Sequence, residues 1–272
     1  MAPGMTAHSE VGAPAVHLRG VLLPDDDVAD LWVAGDRISR EQISGAETIM
    51  RGGWLLPGLV DVHTHPGADS PGDPLDDSVL RRDAEGASRL RRVHAIGGRV
   101  AVHSQHEDGC TAAVFAGVDS LEHGRHLRLD LLDRMGDQGT VLVPTMCASS
   151  GTKASLRKQP PASDAWGRWT STGWERHPNL VRCAFEAGVT VLAGTDGAAG
   201  IIADEVDCLV AAGVPADVAV GGASWVARSW LGFGDLEHGA LADIVGYDED
   251  PRVHPDVLRR PSRIVLRGRV VR

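Results

Sequence analysis

The sequence predicts an α/β protein in which parallel strands alternate with helices and a small β-layer flanks them. In the middle of the chain, short apolar runs alternate with segments of helical period, which is typical of a parallel sheet or barrel. At both ends, apolar and β-branched segments are separated by turn residues and show no helical period. We therefore expect residues 1–57 and 240–272 to pair into one flanking unit around a central unit of residues 58–239.

The individual elements follow from the same patterns. The flanking unit is predicted to contain strands at Ala15–Leu23, Ala29–Ala34, Glu47–Leu56, Ala242–Tyr247 and Ser262–Val271. The central unit is predicted to contain strands at Gly58–Val62, Arg99–Val102, Val118–Leu121, Thr140–Val143 and Val189–Ala193. Its predicted helices are Asp76–Ala95, Gly109–Ala116, Leu129–Gln138 and Asn179–Ala187, and Thr145–Arg176 reads as a long polar loop.

Composition excludes several classes of protein. The chain of 272 residues has 27 basic and 37 acidic residues, a net charge of −10, so it lacks the basic face that nucleic-acid backbones require. No apolar run approaches the roughly 20 residues that cross a bilayer, and the first residues do not resemble a secretory signal. The four cysteines are widely spaced, as in reduced proteins. These features predict a cytoplasmic protein that acts on a small molecule, without nucleic-acid or membrane partners.

Polar residues follow the ends of the predicted central strands. The first strand ends in His63-Thr64-His65, and strand alternation places the two imidazoles on one face. His103, His123 and Asp196 follow three later strands. In a barrel these ends converge on one mouth, where three imidazoles and a carboxylate suit Zn²⁺ or Fe²⁺ with an open position for water. The remaining histidines share no such pattern and are interpreted as structural: His8, His17, His94, His106, His126, His177, His238 and His254.

The order of these motifs resembles the metal-dependent amidohydrolase superfamily, in particular its imidazolonepropionase-like and prolidase-like branches. GWLLPGLVDVHTH is similar to the first barrel strand of that superfamily, and GGRVAVHSQH, GVDSLEHG and VTVLAGTD are similar to its fifth, sixth and eighth strands. LEHGALADIVGYDEDP resembles the return from the barrel to a flanking β-sandwich. The resemblance implies a TIM-type β/α barrel with a small β-sandwich built from both termini.

The resemblance also implies roles for individual residues. His63, His65, His103 and Asp196 match metal ligands, and His123 matches a histidine that binds a second metal in some branches and polarises the substrate carbonyl in others. Asp196 would also act as general base and pass the proton of a metal-activated water to the leaving nitrogen. The implied reaction is hydrolysis of a C–N bond in a cyclic amide, amide or dipeptide-like substrate.

The central unit is short for such a barrel. About 130 residues separate His63 from Asp196, whereas a complete eight-stranded barrel takes roughly 250 residues. We therefore expect an incomplete (truncated) barrel that lacks about three βα units. Binuclear members bridge their metals through a carboxylated lysine on the fourth strand. Lys153 and Lys158 are the two lysines of this chain and both follow Val143, so a mononuclear site with Zn²⁺, Fe²⁺ or Mn²⁺ is expected.

Two alternatives remain open on the sequence alone. Because the missing segments would shape the substrate pocket, the chain can also be read as an inactive remnant that binds metal or self-associates. The tryptophans of the predicted loop, Trp166, Trp169 and Trp174, fit a substrate lid as well as plain packing over the open side.

An incomplete barrel exposes strand edges and apolar surface, and we therefore predict that the chain forms a homo-oligomer. Light scattering at micromolar concentration should give a mass of at least two chains. A monodisperse monomer would contradict this prediction.

Overall fold

The computed structural model describes residues 14–63, 90–149, 165–197 and 201–272. It confirms a mixed α/β fold with a seven-stranded sheet and a separate parallel three-stranded sheet. His65, Lys153, Lys158 and most of the predicted helix Asp76–Ala95 lie outside the described residues. Among the described helices, none is long and apolar enough to cross a membrane.

The seven-stranded sheet joins strands from both ends of the chain. Its strands are β1 (Val16–Leu22), β2 (Asp27–Ala34), β3 (Arg37–Ser39), β4 (Glu47–Pro57), β8 (Ile244–Tyr247), β9 (Arg263–Leu266) and β10 (Arg269–Val270). They are ordered β10-β9-β8-β4-β1-β2-β3, and all neighbours are antiparallel except β1 and β4. The predicted strand Ser262–Val271 is divided into β9 and β10, because Arg267 and Gly268 adopt positive φ and turn the chain.

This sheet rolls on itself, so its inward side chains form one core. Arg37 of β3 is bridged to Leu241, which precedes β8, and the N–H of Ile38 donates to the carbonyl of Ala240 at 2.9 Å. The core it encloses includes Leu18, Leu31, Ile38, Leu55 and Val265. The strands of both termini thus form one flanking sheet, as the sequence predicts, and its description as a β-sandwich stays a prediction.

The parallel sheet carries the predicted site. Its strands are β5 (Ala101–Ser104), β6 (Ser120–His123) and β7 (Val141–Val143), with β6 in the centre. The predicted strands at 58–62 and 189–193 are extended segments that make only a few backbone hydrogen bonds. Leu192 donates to Leu142 at 2.9 Å, and Val62 donates to Ala193 at 3.1 Å. The described residues therefore form an open parallel arrangement, and no closed barrel is seen among them.

Residues 90–94 are helical, as predicted for this part of the chain. The other helices of the described central unit are α1 (Glu107–Ala116), α2 (Leu132–Gln138), α3 (Ala165–Glu186), α4 (Ile202–Ala212), α5 (Ala216–Gly222) and α6 (Trp225–Leu231). Short 3₁₀ turns cover Leu129–Leu131, Cys147–Ser149 and Pro255–Arg259. One face of β7 packs through Val141 and Val143 against Ala227 of α6, and Trp230 of α6 adjoins this cluster. Helix α6 thus covers apolar surface that the open strand arrangement leaves on this face.

Helix α3 corrects the prediction of a loop over Thr145–Arg176 for residues 165–176, while residues 150–164 lie outside the described residues. Within α3, Trp174, His177, Val181 and Ala184 are buried at the spacing of one helix face. Gly173 and the internal Pro178 obscure this period in the sequence, because both residues usually interrupt helices. The three tryptophans assigned to the loop therefore lie on a helix.

A buried carboxylate joins α4 to the segment after β7. Glu205 is completely buried and accepts hydrogen bonds from the backbone N–H groups of Met146 at 2.9 Å and Cys147 at 2.7 Å. Burial raises the pKa of Glu205 to about 7, although the two N–H donors act in the opposite direction. The contact fixes the backbone next to Thr145, which belongs to the site described below.

The pKa of Glu205 predicts a pH-dependent stability that Glu205→Gln should remove. Because the folded-state pKa is raised, charging the group destabilises the fold as pH rises from the unfolded-state value toward about 7. Relative to the variant, the wild type should lose up to about 3 kcal/mol of unfolding free energy between about pH 4.5 and pH 8. Denaturant unfolding across this range measures the difference. The exposed Glu175→Gln serves as control, and an equally flat difference for both variants would contradict the assignment.

Candidate metal centre

Three predicted site residues come together at the carboxyl ends of the parallel segments. His63, His123 and Asp196 each offer one possible ligand atom, and these three atoms lie within 4.8 Å of one another. His63 Nε2 is 3.5 Å from Asp196 Oδ1. His123 is fully buried and His63 nearly so, while the Asp196 side chain is 31% exposed. Two imidazoles and a carboxylate are thus gathered from three segments at a point that solvent reaches through Asp196.

Hydrogen bonds orient both imidazoles toward this point. His63 Nδ1 lies 2.8 Å from Glu122 Oε2, and the other Glu122 oxygen accepts from the Ser120 hydroxyl at 2.6 Å. His123 Nδ1 lies 2.6 Å from Thr145 Oγ1. When each Nδ1 carries the proton and donates it, each Nε2 is unprotonated and has the lone pair that a metal requires.

The other two predicted ligands have a different status. His103 lies beside the cluster, and its Nδ1 is 2.7 Å from His123 Nε2. It is not part of the group of three whose ligand atoms lie within 4.8 Å. His65 lies outside the described residues. Ligand roles for His65 and His103 therefore stay predictions.

Asp61 ties together the two segments that bear His63 and Asp196. Its Oδ1 accepts from the backbone N–H of His63 at 3.1 Å and from the backbone N–H of Thr195 at 3.0 Å. Its Oδ2 accepts a short hydrogen bond from the Thr195 hydroxyl. Since these two segments share few backbone hydrogen bonds, the carboxylate of Asp61 sets the distance between their ligands.

The backbone at the site adopts uncommon conformations. His123, Thr145 and Asp196 have φ values of 65°, 48° and 47°, in the left-handed region that residues other than glycine rarely occupy. Gly194 permits the close approach of its segment to His63, because an added Cβ would lie 2.6 Å from the Cβ of His63. Such conformations persist only where surrounding contacts hold them, and they cluster at functional sites.

The charges of the site favour a bound cation. Burial lowers the pKa of His63, but its hydrogen bonds with Asp196 and Glu122 outweigh this effect and raise the pKa to about 9. Burial lowers the pKa of His123 well below its ordinary value, and His103 and His63 lower it further. His123 is therefore neutral, the form that binds metals, while two carboxylates around His63 stabilise a positive charge.

Several residues of the site did not emerge from the sequence. Glu122, Asp61 and Thr145 hold the ligands in place, and His177 donates from Nε2 to the carbonyl of His123 at 2.9 Å. Two sequence features could have indicated the carboxylates: Asp61 precedes His63 by two residues, and Glu122 lies within an otherwise apolar strand. The interpretation of His177 as a structural residue agrees with its contact to the backbone.

Two mycobacterial proteins resemble the chain over nearly its whole length. Uncharacterized proteins of Mycobacterium tuberculosis strain H37Rv and Mycobacterium bovis are each 31% identical over 361 residues, which covers 94% of this chain and 96% of the relative. No family model matches the sequence.

Solved structures share the fold. A Xaa-Pro dipeptidase with bound methionine aligns with a TM-score of 0.77 at 17% identity, covering 94% of this chain and 99% of that chain. An amidohydrolase gives 0.75 at 16% identity, covering 94% and 98%. The ochratoxinase of A. niger gives 0.74 at 16% identity, covering 94% and 95%. The chain belongs to the same family as the two mycobacterial proteins and shares the fold of these solved structures. This fold agrees with the resemblance drawn from the sequence motifs.

This chain is shorter than its mycobacterial relatives. The alignment runs over 361 positions, whereas the chain has 272 residues. The relatives therefore contain residues that have no counterpart in this chain.

The hydrogen bonds of Asp61 to His63 and Thr195, called the Asp61 clamp, predict that Zn²⁺ affinity depends on the side chain at position 61. Asp61→Ala leaves the Thr195 N–H without its acceptor and should weaken Zn²⁺ binding by about 10- to 100-fold. Asp61→Asn keeps an oxygen for both N–H groups and should bind Zn²⁺ nearly as well as the wild type. Competition with a chromogenic chelator measures the affinity, and denaturant unfolding of the metal-free proteins measures stability separately. Equal Zn²⁺ affinity in all three proteins would contradict the clamp.

Proposed function

We propose that this chain is a metal-dependent hydrolase that cleaves a C–N bond in a cyclic amide, amide or dipeptide-like substrate. The observation that carries the proposal is the convergence of His63, His123 and Asp196 at the open edge of the parallel strands. Solved relatives of this fold include proteins named as a dipeptidase, an amidohydrolase and an ochratoxinase, which supports hydrolysis as the reaction class.

The donor set fits a divalent transition-metal ion. Two imidazole nitrogens and one carboxylate oxygen suit Zn²⁺, with Fe²⁺ and Mn²⁺ as alternatives, and the buried carboxylate Glu122 supports His63 from behind. His65 and His103 are proposed as further ligands on the strength of the sequence motifs, and the site is proposed to be mononuclear. Such an ion, when bound, would act as a Lewis acid that activates water and polarises a carbonyl.

Asp196 and His123 are assigned different roles in the proposed reaction. Asp196 is the one member of the cluster with substantial solvent exposure, so it is placed to take a proton from the attacking water and return it to the leaving nitrogen. His123 is neutral and held by Thr145, and is assigned to orientation of the ion or the carbonyl rather than to proton transfer.

We interpret the central unit as an incomplete TIM-type barrel. Strands β5 to β7 and the extended segments at 189–193 and 58–62 follow one another through backbone hydrogen bonds, as consecutive parallel strands of a barrel would. The length of the relatives supports the idea that βα units are missing here. Homo-oligomerisation remains our proposal for covering the open side.

A second candidate function follows from the same shortening. Loops from the whole rim of a barrel shape its substrate pocket. A chain without some of these loops can retain its metal ligands and lack activity, acting as an inactive member that binds metal.

Metal content and hydrolysis together test the proposed function. Protein expressed with ample Zn²⁺ should contain about one ion per chain, and His63→Ala should lose most of it because one proposed ligand is removed. The wild type should hydrolyse at least one member of a panel of lactams, hydantoins and acyl-amino acids, and His63→Ala should be slower by at least about 100-fold. The exposed His254→Ala is the matched control and should behave as the wild type.

The outcomes separate the two candidates. Bound metal without hydrolysis of the panel favours the inactive member. Less than about 0.2 ions per chain, or equal hydrolysis by wild type and His63→Ala, would contradict the proposed enzyme.

A further inference from the structure

Four aromatic rings from three elements stack beside the metal centre. The indole of Trp169 lies between the imidazoles of His106 and His126, with both pairs of ring centroids 4.3 Å apart and interplanar angles of 18° and 12°. Trp166 stacks on Trp169 at 5.0 Å. We call these four residues the ring stack. Both tryptophans belong to α3, and neither histidine was assigned a role from the sequence.

The ring stack lies on the segments that leave the ligand-bearing strands. His106 follows His103 by three residues, and His126 follows His123 by three residues. Parallel strands present their carboxyl ends at the same edge, so these segments and the cluster of His63, His123 and Asp196 share that edge. The ring stack is therefore placed at the same edge of the parallel strands as Asp196.

The guanidinium of Arg125 lies next to the ring stack in the chain and packs on Trp174. Arg125, the neighbour of His126, is half-buried and interacts electrostatically with Asp196. Its guanidinium lies 5.3 Å from the ring centroid of Trp174 and donates to the Gln105 side chain at 3.1 Å. The arrangement places a guanidinium between the metal centre and α3.

Packing of α3 alone does not account for these groups. Trp166 is 66% exposed, although it is a large apolar side chain. The buried Nε1 of Trp174, a residue with only 8% exposure, meets no acceptor in the described part of the chain. The Nε2 of His126 is likewise buried without a hydrogen-bond partner there. Buried polar groups are normally paired, so polar atoms of this kind point to a ligand that completes them.

We propose that the ring stack, with Arg125 and Trp174, is the subsite that holds a planar, carboxylate-bearing group of the substrate, an inference that rests on the function proposed above. The exposed indole of Trp166 and the edge of the stack offer a flat surface to an aromatic or conjugated ring. The guanidinium of Arg125 and the N–H of Trp174 are donors for the carboxylate. The substrate class narrows to amides or dipeptide-like compounds with a flat acidic moiety.

The binding of benzoate compared with cyclohexanecarboxylate tests this subsite without turnover. The two acids match in charge and approximate size and differ in planarity. Calorimetric titration should show benzoate binding about five-fold more tightly, and Trp169→Leu should abolish that preference while Trp169→Phe retains it. Trp32→Leu, the same change on the flanking sheet, should leave the preference intact. Arg125→Met should weaken both acids alike, because the carboxylate is common to them.

Equal affinity for the two acids in the wild type, no detectable binding of either in the millimolar range, or a preference that survives Trp169→Leu would overturn the subsite. The titration is repeated on protein stripped of metal with a chelator. A preference that persists there supports the subsite even if hydrolysis fails, whereas hydrolysis of aliphatic substrates without any benzoate preference supports the enzyme and rejects the subsite.

Discussion

Polar groups buried at the carboxyl edge of the parallel strands require partners, and this requirement organises the centre of the molecule. The imidazole of His63 is paired with Glu122, and that of His123 with Thr145. Because burying an unpaired polar group is costly, each of these side chains has one favourable orientation. With these pairings, His63 Nε2 lies 3.5 Å from Asp196 Oδ1 and His123 Nε2 lies 2.7 Å from His103 Nδ1. The same contacts therefore stabilise the edge and set the geometry of the candidate metal centre.

Among the described residues, single side chains join parallel segments that share few backbone hydrogen bonds. In a closed barrel, continuous backbone ladders fix the distance between first and last strands. Here the segments around residues 60 and 192 share few such bonds, and the carboxylate of Asp61 joins them instead. Glu205 does the same between α4 and the segment after β7, and α6 covers a face of the sheet. Discrete polar contacts thus substitute for regular structure around the site.

Sequence reasoning located three side chains of the candidate metal centre because strand alternation and strand ends are local features. His63, His123 and Asp196 each follow or end an apolar run, and the structure gathers them. The residues that support them were missed because their partners lie far away in the chain: 59 residues separate Glu122 from His63, and 134 separate Asp61 from Thr195. Helix α3 was missed since Gly173 and Pro178 mask its period, and the contacts of its tryptophans depend on the tertiary fold.

The central claim is that His63, His123 and Asp196 bind one metal ion, and anomalous X-ray diffraction at the zinc edge tests it most directly. In a crystal of Zn²⁺-loaded protein, the account predicts a single strong peak about 2.0–2.2 Å from Nε2 of His63, Nε2 of His123 and a carboxylate oxygen of Asp196. The absence of a peak among these three side chains at full Zn²⁺ loading would contradict it.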